Sequence, residues 1–234
     1  MFKKYVQIKN DLEERYCELY GPMTVTKLHG DNFSWVKNPW PWDKKGDSNM
    51  FKYVKHLNYP INIKKKDLKM AKYLLTQFGG ANGELGAALR YFCHKFSMPD
   101  EKGRALLNDI ATEELGHCEM ICTMVRQLVK DASIEELEEN GLGSLYTEHG
   151  KSIYPSDSFG NPFTVSYFAV TGDVLANISE DMAAEEKARA TYESLINETK
   201  DEDILGVLLF LRQREIVHFN RFKELYDYYK KKGY

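Results

Sequence analysis

The sequence has little cysteine and no long apolar stretch. Only four of its 234 residues are cysteines, and no two of them form a C-x-x-C pair, which argues against a disulfide framework and favours a protein made in a reducing cytoplasm. The longest apolar run, Ile204 to Leu211, makes about two helical turns, whereas a membrane-spanning helix needs roughly 20 apolar residues. No apolar segment follows the basic residues at the N-terminus, so we expect no secretory signal.

The chain also lacks an excess of charge of either sign. Its 32 basic and 35 acidic residues give a formal net charge of −3. A balance of this kind is typical of an ordinary protein surface and offers no extended basic patch to nucleic acid. The lysine clusters at 64–66 and 230–232 are short and flank helical patterns. We therefore expect neither a nucleic-acid partner nor a membrane partner.

Tryptophan does not occur after residue 42, and the tract that contains it is irregular. All three tryptophans lie in this tract: Trp35, Trp40 and Trp42. The last two alternate with prolines, which cannot continue a helix and favour extended backbone. So much aromatic surface would have to pack against the rest of the chain or dock on a partner. We predict a Pro/Trp-rich N-terminal extension over residues 1–60 and a helical domain over residues 61–234.

Four long helical patterns follow the extension. They are predicted at 66–96, at 101–130, from an N-cap at Asp173 to residue 199, and from the charged turn at 200–203 to residue 229. The first and last links are short, so each pair of helices should form an antiparallel hairpin. The middle link is long enough to travel the length of a bundle, with a short helix near 134–140. The predicted fold is therefore all-α, a ferritin-like four-helix bundle with a long crossover between its second and third helices.

Acids and histidines interrupt the apolar stripes of these helices. The second helix places Glu114 and His117 three residues apart among isoleucines and leucines, and the fourth helix repeats this spacing with Glu215 and His218. Residues three apart project from one face of a helix, one turn from each other. The first and third helices each carry one acid on an apolar stripe: Glu84 and Glu185.

These six polar side chains would meet in one core, because all of them lie near the middle of their helices. Ionised carboxylates there would cost several kcal/mol each if they were unpaired, and two histidines cannot neutralise four acids. A pair of metal cations can, and the ligand types suit manganese and iron equally well. The sequence thus predicts a dimetal site. The remaining histidines fall off the stripes or in loops, and we expect them not to bind metal: His29, His56, His94 and His149.

Several residues beside these six are harder to assign. Tyr91 follows Glu84 by seven residues on the same stripe, so it either hydrogen-bonds a ligand or is an ordinary core tyrosine. Glycines at 79, 80, 83 and 86 weaken the first helix, which indicates close packing or a passage for a small molecule. Three further acids are expected to face outward or to lie just outside the metal ligands: Glu113, Glu119 and Glu186.

Four stretches carry a resemblance to a known family. They are GGANGEL at 79–85, TEELGHCEM at 112–120, AAEEKARA at 183–190 and REIVH at 214–218. On these stretches the chain resembles the manganese catalases, and most closely their short spore-coat CotJC branch. The similarity covers about residues 56–228. One departure is Ala184, where some members of the family have an arginine, so one positive charge beside the site is missing.

The resemblance implies a function and a role for each site residue. It implies disproportionation of hydrogen peroxide at two manganese ions, with iron as the alternative metal. It implies five ligands: Glu84 and His117 on one ion, Glu185 and His218 on the other, and Glu114 bridging both. Glu215 is similar to an outer acid that exchanges protons, and Tyr91 to a hydrogen-bonding tyrosine on the Glu84 side.

The resemblance also concerns partners and location. It implies a homo-oligomer, commonly a hexamer, made in the cytoplasm and assembled into the spore coat with other coat proteins. The tract at 20–42 looks like the tail of CotJB, a small coat protein. Two alternatives stay open at this point: a ferritin-like di-iron oxidase or peroxidase, and a mainly structural coat protein whose metals brace the fold.

Overall fold

The computed structural model describes residues 57–234, and within this range the chain is helical. Its α-helices in chain order are α1 (Leu68–Gly79), α2 (Glu84–His94), α3 (Glu101–Leu128), α4 (Ile134–Glu139), α5 (Gly143–His149), α6 (Val174–Glu198) and α7 (Glu202–Lys232). The described residues contain no β-strand, only one antiparallel bridge between Ser156 and Pro162. The predicted all-α class is confirmed. Of the predicted N-terminal extension over residues 1–60, residues 1–56 lie outside the described residues. The boundary between the extension and the helical domain at residue 60 therefore stays a prediction.

Aspartates begin the three longest helices, where a side-chain oxygen accepts a backbone N–H that has no partner within the helix. Asp173 caps α6 through the N–H of Ala176, as predicted, and Asp100 caps α3 through that of Gly103. Asp201 caps α7. Each cap follows a short turn or the end of the crossover, so the sequence fixes where each long helix starts.

The first long helix is not continuous. The prediction of one helix over 66–96 is wrong, because the chain leaves the helix at Gly80 and re-enters it after Gly83. Both glycines sit where no side chain fits: a Cβ at Gly83 would lie 2.8 Å from the carbonyl oxygen of Gln77, and one at Gly80 would overlap the carbonyl of Thr76. The break therefore requires glycine, and α2 begins with Glu84.

Close packing also explains Gly79, the last residue of α1. A Cβ there would overlap the backbone of Pro155 and Ser156, which belong to the long crossover between α3 and α6. The crossover contains α4, which was predicted, and α5, which was not. It thus lies directly on the end of α1, beside the break.

The core consists of two apolar clusters, one on each side of mid-bundle. One cluster includes Leu74, Met124 and Leu208, and the other includes Ile110 and Phe222. The polar side chains considered below lie between the two, so apolar packing above and below them keeps water out. Among the described helices, none has the length and apolar character that crossing a bilayer demands.

Candidate metal centre

The structure brings all six predicted residues together at mid-bundle. Each is at most 1% exposed. They form two overlapping groups, in each of which one ligand atom per residue lies within 4.8 Å of the others: Glu84, Glu114, His117 and Glu215 in one, and Glu114, Glu185, Glu215 and His218 in the other. Glu114 and Glu215 belong to both groups. This arrangement has the form of two adjoining cation sites that share two carboxylates.

Glu114 lies between the two histidines. Its Oε2 atom is 2.7 Å from Nδ1 of His117, and its Oε1 atom is 2.8 Å from Nδ1 of His218. Each histidine also faces one acid from the partner helix of its own hairpin: His117 Nδ1 lies 3.5 Å from Glu84 Oε2, and His218 Nδ1 lies 3.6 Å from Glu185 Oε2. Two Glu–His pairs therefore flank a central carboxylate.

The charge of this cluster is not balanced by the protein alone. Burial and the negative charge of Glu114 raise the pKa of Glu84 to about 8. Burial and the neighbouring carboxylates raise the pKa of Glu215 well above its usual range. Burial also disfavours ionisation of Glu114, but the charges of His218 and His117 outweigh it and lower the pKa of that carboxyl. The positive charges of two histidines thus cannot neutralise four ionised carboxylates.

The buried side-chain atoms that lack a hydrogen-bond partner show whether these six residues fit metal ions. Within residues 57–234, no hydrogen-bond partner is found for at least one side-chain polar atom on each of the six: Glu84, Glu114, His117, Glu185, Glu215 and His218. Buried polar atoms without partners are costly, and they are rare in folded proteins. Carboxylate oxygens with two imidazoles are a donor set that hard divalent or trivalent cations accept. The residues therefore fit a pair of such ions.

Glu113 supports both histidines from the outside. Its carboxylate oxygens lie 3.6 Å from His117 Nε2 and 3.1 Å from His218 Nε2. Burial opposes its ionisation, but the two neighbouring imidazoles outweigh burial and lower the pKa of Glu113. Arg214 Nε lies 2.5 Å from the same carboxylate. A charged partner on the outer nitrogen fixes the orientation of a metal-binding imidazole.

The sequence left the position of Glu113 open and did not indicate Arg214. A signal was present, because each residue immediately precedes an acid of the site: Glu113 precedes Glu114, and Arg214 precedes Glu215. Neighbours of a core residue point to the edge of the apolar stripe, where they can reach across to the facing helix.

Two tyrosines occupy crossed positions between α2 and α6. Tyr192 donates a hydrogen bond to Glu84 Oε1, whereas Tyr91 lies beside Glu185. The expectation that Tyr91 lies on the Glu84 side is therefore corrected. Each tyrosine follows the acid of its own helix by seven residues. Because α2 and α6 run in opposite directions, a tyrosine two turns after one acid lies beside the other.

Both tyrosines are fully buried. Burial and the charges of Glu84 and Glu215 raise the pKa of Tyr192 well above its usual range. Burial and the charge of Glu185 do the same to the pKa of Tyr91. Both hydroxyls thus stay protonated and can act as donors. The hydrogen-bonding role of Tyr192 was missed, because the sequence showed it only as a member of an apolar stripe.

The other histidines lie outside the two groups of metal-ligating atoms, as far as the described residues show. His94 is buried, with Nδ1 2.7 Å from Asp181 Oδ1 and Nε2 2.8 Å from the carbonyl oxygen of Ala169. His149 stacks on Tyr154 with 4.0 Å between ring centroids. His29 and His56 lie outside the described residues.

Comparison with known proteins finds two family models that match parts of the chain. A family model described as "Manganese containing catalase" matches residues 50–232, and one described as "CotJB protein" matches residues 1–43. Protein CotJC of Bacillus subtilis is 50% identical over 175 residues, which are 75% of this chain and 92% of that protein. A manganese catalase of Bacillus subtilis is 32% identical over 185 residues, 74% of this chain and 68% of that protein.

A solved structure has the same arrangement of helices. KatB, a manganese catalase from Anabaena, superposes with a TM-score of 0.71 at 36% sequence identity, over 78% of this chain and 82% of that chain. The ferritin-like bundle predicted from the helical patterns is confirmed. Because the family model covers most of the chain, and the similarity to CotJC spans nearly all of that protein, the chain belongs to the manganese catalase family, in its CotJC branch.

Proposed function

We propose that this protein is a manganese catalase, which converts two molecules of hydrogen peroxide into two of water and one of dioxygen. The observation that carries the proposal is the buried cluster of four carboxylates and two imidazoles, each with an unpartnered atom among the described residues. Membership of the manganese catalase family supports the choice of manganese and of peroxide. Bound manganese would supply the redox chemistry, because each ion can change its oxidation state by one electron.

In this proposal the six residues divide into five metal ligands and one proton carrier. Glu84 with His117 would hold one ion, and Glu185 with His218 the other, since each acid lies beside its histidine. Glu114 would bridge the two, because its oxygens face one histidine each.

Glu215 would hold and move the proton. It belongs to both groups of ligand atoms, and its Oε1 atom has no hydrogen-bond partner within the described part of the chain. A carboxyl in this position can take a proton from an incoming peroxide and return it to the oxygen that leaves as water. Tyr91 would act beside it through its protonated hydroxyl, which lies next to Glu185.

Oxygen evolution and metal content test the proposal together. Protein expressed with added manganese should contain about two ions per chain and should release dioxygen from peroxide without a reductant. Glu215→Gln should keep the metal and lose most of the oxygen release. A filled site that releases no dioxygen would refute the catalase assignment; peroxide consumption that requires a reductant would favour a di-iron oxidase or peroxidase instead.

We also propose that the protein is a homo-oligomer, of hexameric size, and a component of the spore coat. The support is the similarity to CotJC together with the match of residues 1–43 to CotJB in the same chain. In a spore-forming host, a fluorescent fusion of the full chain should collect at the coat, and one without residues 1–43 should collect less. Equal localisation of both would mean that the segment does not anchor the protein. Light scattering would give the oligomer size.

A further inference from the structure

Gln77 is a buried polar residue to which the proposed function gives no role. It lies near the end of α1, three residues before the helix breaks at Gly80, and its side chain is 0% exposed. Neither Oε1 nor Nε2 has a hydrogen-bond partner among the described residues. A buried amide carries two donors and an acceptor. Leaving all of their hydrogen bonds unformed is among the more costly arrangements in a core.

The Gln77 side chain faces the Glu84 side of the metal centre. It lies near the hydroxyl of Tyr192, which in turn donates its hydrogen to Glu84. Because that hydrogen is used, the Tyr192 oxygen presents only its lone pairs toward Gln77. The Gln77 amide therefore offers both donors and an acceptor, and the Tyr192 oxygen offers a further acceptor. Tyr192 itself contacts the proposed metal ligand Glu84.

The crossover closes this end of α1. Its backbone at Ser156 packs so tightly on Gly79 that no side chain fits between them. Ser156 is itself fully buried, and in the part of the chain that the structure describes its Oγ atom also has no partner. Unpartnered polar side chains in two packed segments are typical of places where a small hydrogen-bonding molecule is held.

We propose that Gln77 and Tyr192 bind one small hydroxylic molecule beside Glu84: water at rest and hydrogen peroxide during turnover. The ligand would donate to Gln77 Oε1 or to the Tyr192 oxygen and accept from Gln77 Nε2. Peroxide offers two O–H donors and two acceptor oxygens, so it satisfies such a site, whereas dioxygen has no donor and is not retained. The peroxide part rests on the proposed function; the water part does not.

Two glutamine variants test the proposal. Gln77→Met keeps the length of the side chain and removes its hydrogen bonds. Its matched control is Gln127→Met, because the Gln127 amide is already satisfied by the backbone of Ile61 and Ile63. With equal manganese content, Gln77→Met should raise KM for peroxide roughly five- to tenfold, the effect of one lost hydrogen bond, with a smaller change in kcat. Gln127→Met should leave KM unchanged and lower the melting temperature.

A crystal structure of the manganese-loaded protein provides the second measurement. Density for one solvent molecule should lie within hydrogen-bond distance of the Gln77 amide and the Tyr192 hydroxyl, and should be lost in Gln77→Met. An unchanged KM in Gln77→Met would overturn the proposal that peroxide binds here. The absence of solvent density at the Gln77 amide of the unaltered protein would overturn the proposal that water binds here. If the unaltered protein releases no dioxygen, the catalase proposal fails while the solvent density still decides the role of Gln77.

Discussion

The imidazole rings of His117 and His218 lie nearly parallel, with 5.7 Å between their centroids, and the carboxylate of Glu114 joins their Nδ1 atoms. They come from α3 and α7, which belong to different hairpins. On the opposite side, Glu113 faces both Nε2 atoms. Each ring is thus held between two carboxylates from α3, and this makes Glu114 the residue on which both halves of the centre depend.

Replacing Glu114 should therefore affect both ions. Glu114→Gln keeps the shape of the side chain but removes the charge that two cations would share, so the manganese content should fall from about two ions per chain to fewer than one. Elemental analysis of the purified protein measures this. Glu119→Gln is the control, because Glu119 is an exposed acid on the same helix. Full occupancy in Glu114→Gln would contradict the bridging role.

Removing metal should destabilise the fold. The cluster brings four buried carboxylates together, and ions that bind only the folded chain stabilise it by mass action. Manganese at a hundred times its dissociation constant contributes about 2.7 kcal/mol, which corresponds to a melting temperature higher by roughly 5–10 °C. Calorimetry with and without a chelator measures the difference. In Glu185→Gln the manganese-dependent rise should be smaller; a rise of full size there would exclude Glu185 as a ligand.

The two tyrosines should differ in their effect on metal affinity. Tyr192→Phe removes a hydrogen bond to Glu84 without changing the size of the ring, and loss of such a partner weakens metal binding about tenfold or more. Tyr91→Phe should weaken it less, because the Tyr91 hydroxyl makes no hydrogen bond within residues 57–234. Competition with a chelating dye measures both affinities. The reverse order would mean that the Tyr91 hydroxyl supports Glu185 more strongly than the Tyr192 hydroxyl supports Glu84.

The buried pair of His94 and Asp181 should stabilise the fold without taking part in metal binding. It ties α2 to α6, and His94 also reaches the carbonyl oxygen of Ala169 in the crossover. Asp181→Ala leaves His94 buried without its carboxylate, which should cost about 3–5 kcal/mol of unfolding free energy. Urea denaturation measures it. Glu186→Ala is the control, since the Glu186–Arg189 pair is at the surface and should contribute less than about 1 kcal/mol.

The cap of α3 should make stability depend on pH. Burial disfavours ionisation of Asp100, but hydrogen bonds from Tyr229, Gly103 and Lys232 outweigh it and lower the pKa of Asp100 below 3.8. A group whose pKa is lower in the folded state stabilises the fold above its unfolded pKa, and this contribution is lost as pH falls through its folded pKa.

Asp100→Ala should accordingly cost about 1–2 kcal/mol near pH 7, where the cap is ionised, and progressively less below pH 3.8. Unfolding curves measured across that pH range provide the test. Asp173→Ala removes the cap of α6 and serves for comparison, because within residues 57–234 Asp173 has no tyrosine or lysine hydrogen bond like those at Asp100. A loss for Asp100→Ala that stays constant with pH would contradict the ionic contribution.

Much of the centre was predictable because helix geometry is local. Three-residue spacing placed Glu114 with His117, and Glu215 with His218, whatever the rest of the chain did. Single acids on apolar stripes pointed to Glu84 and Glu185, and the loop lengths indicated two hairpins joined by a crossover. The break in the first helix was not predicted, since four glycines weaken a helix without showing where it ends. The helix α5 was missed as well, because it begins at Gly143 with no capping side chain.

The sequence by itself thus determined which residues share a helix face, and the cost of burying their charge predicts that cations balance them. Only the tertiary structure decided which side chains meet across helices. Tyr192 reaches Glu84, Tyr91 lies beside Glu185, and Gln77 is left unpartnered among the described residues because of how α1, α2 and α6 align. That alignment depends on packing between residues far apart in the chain, such as the crossover on Gly79, which no local spacing encodes.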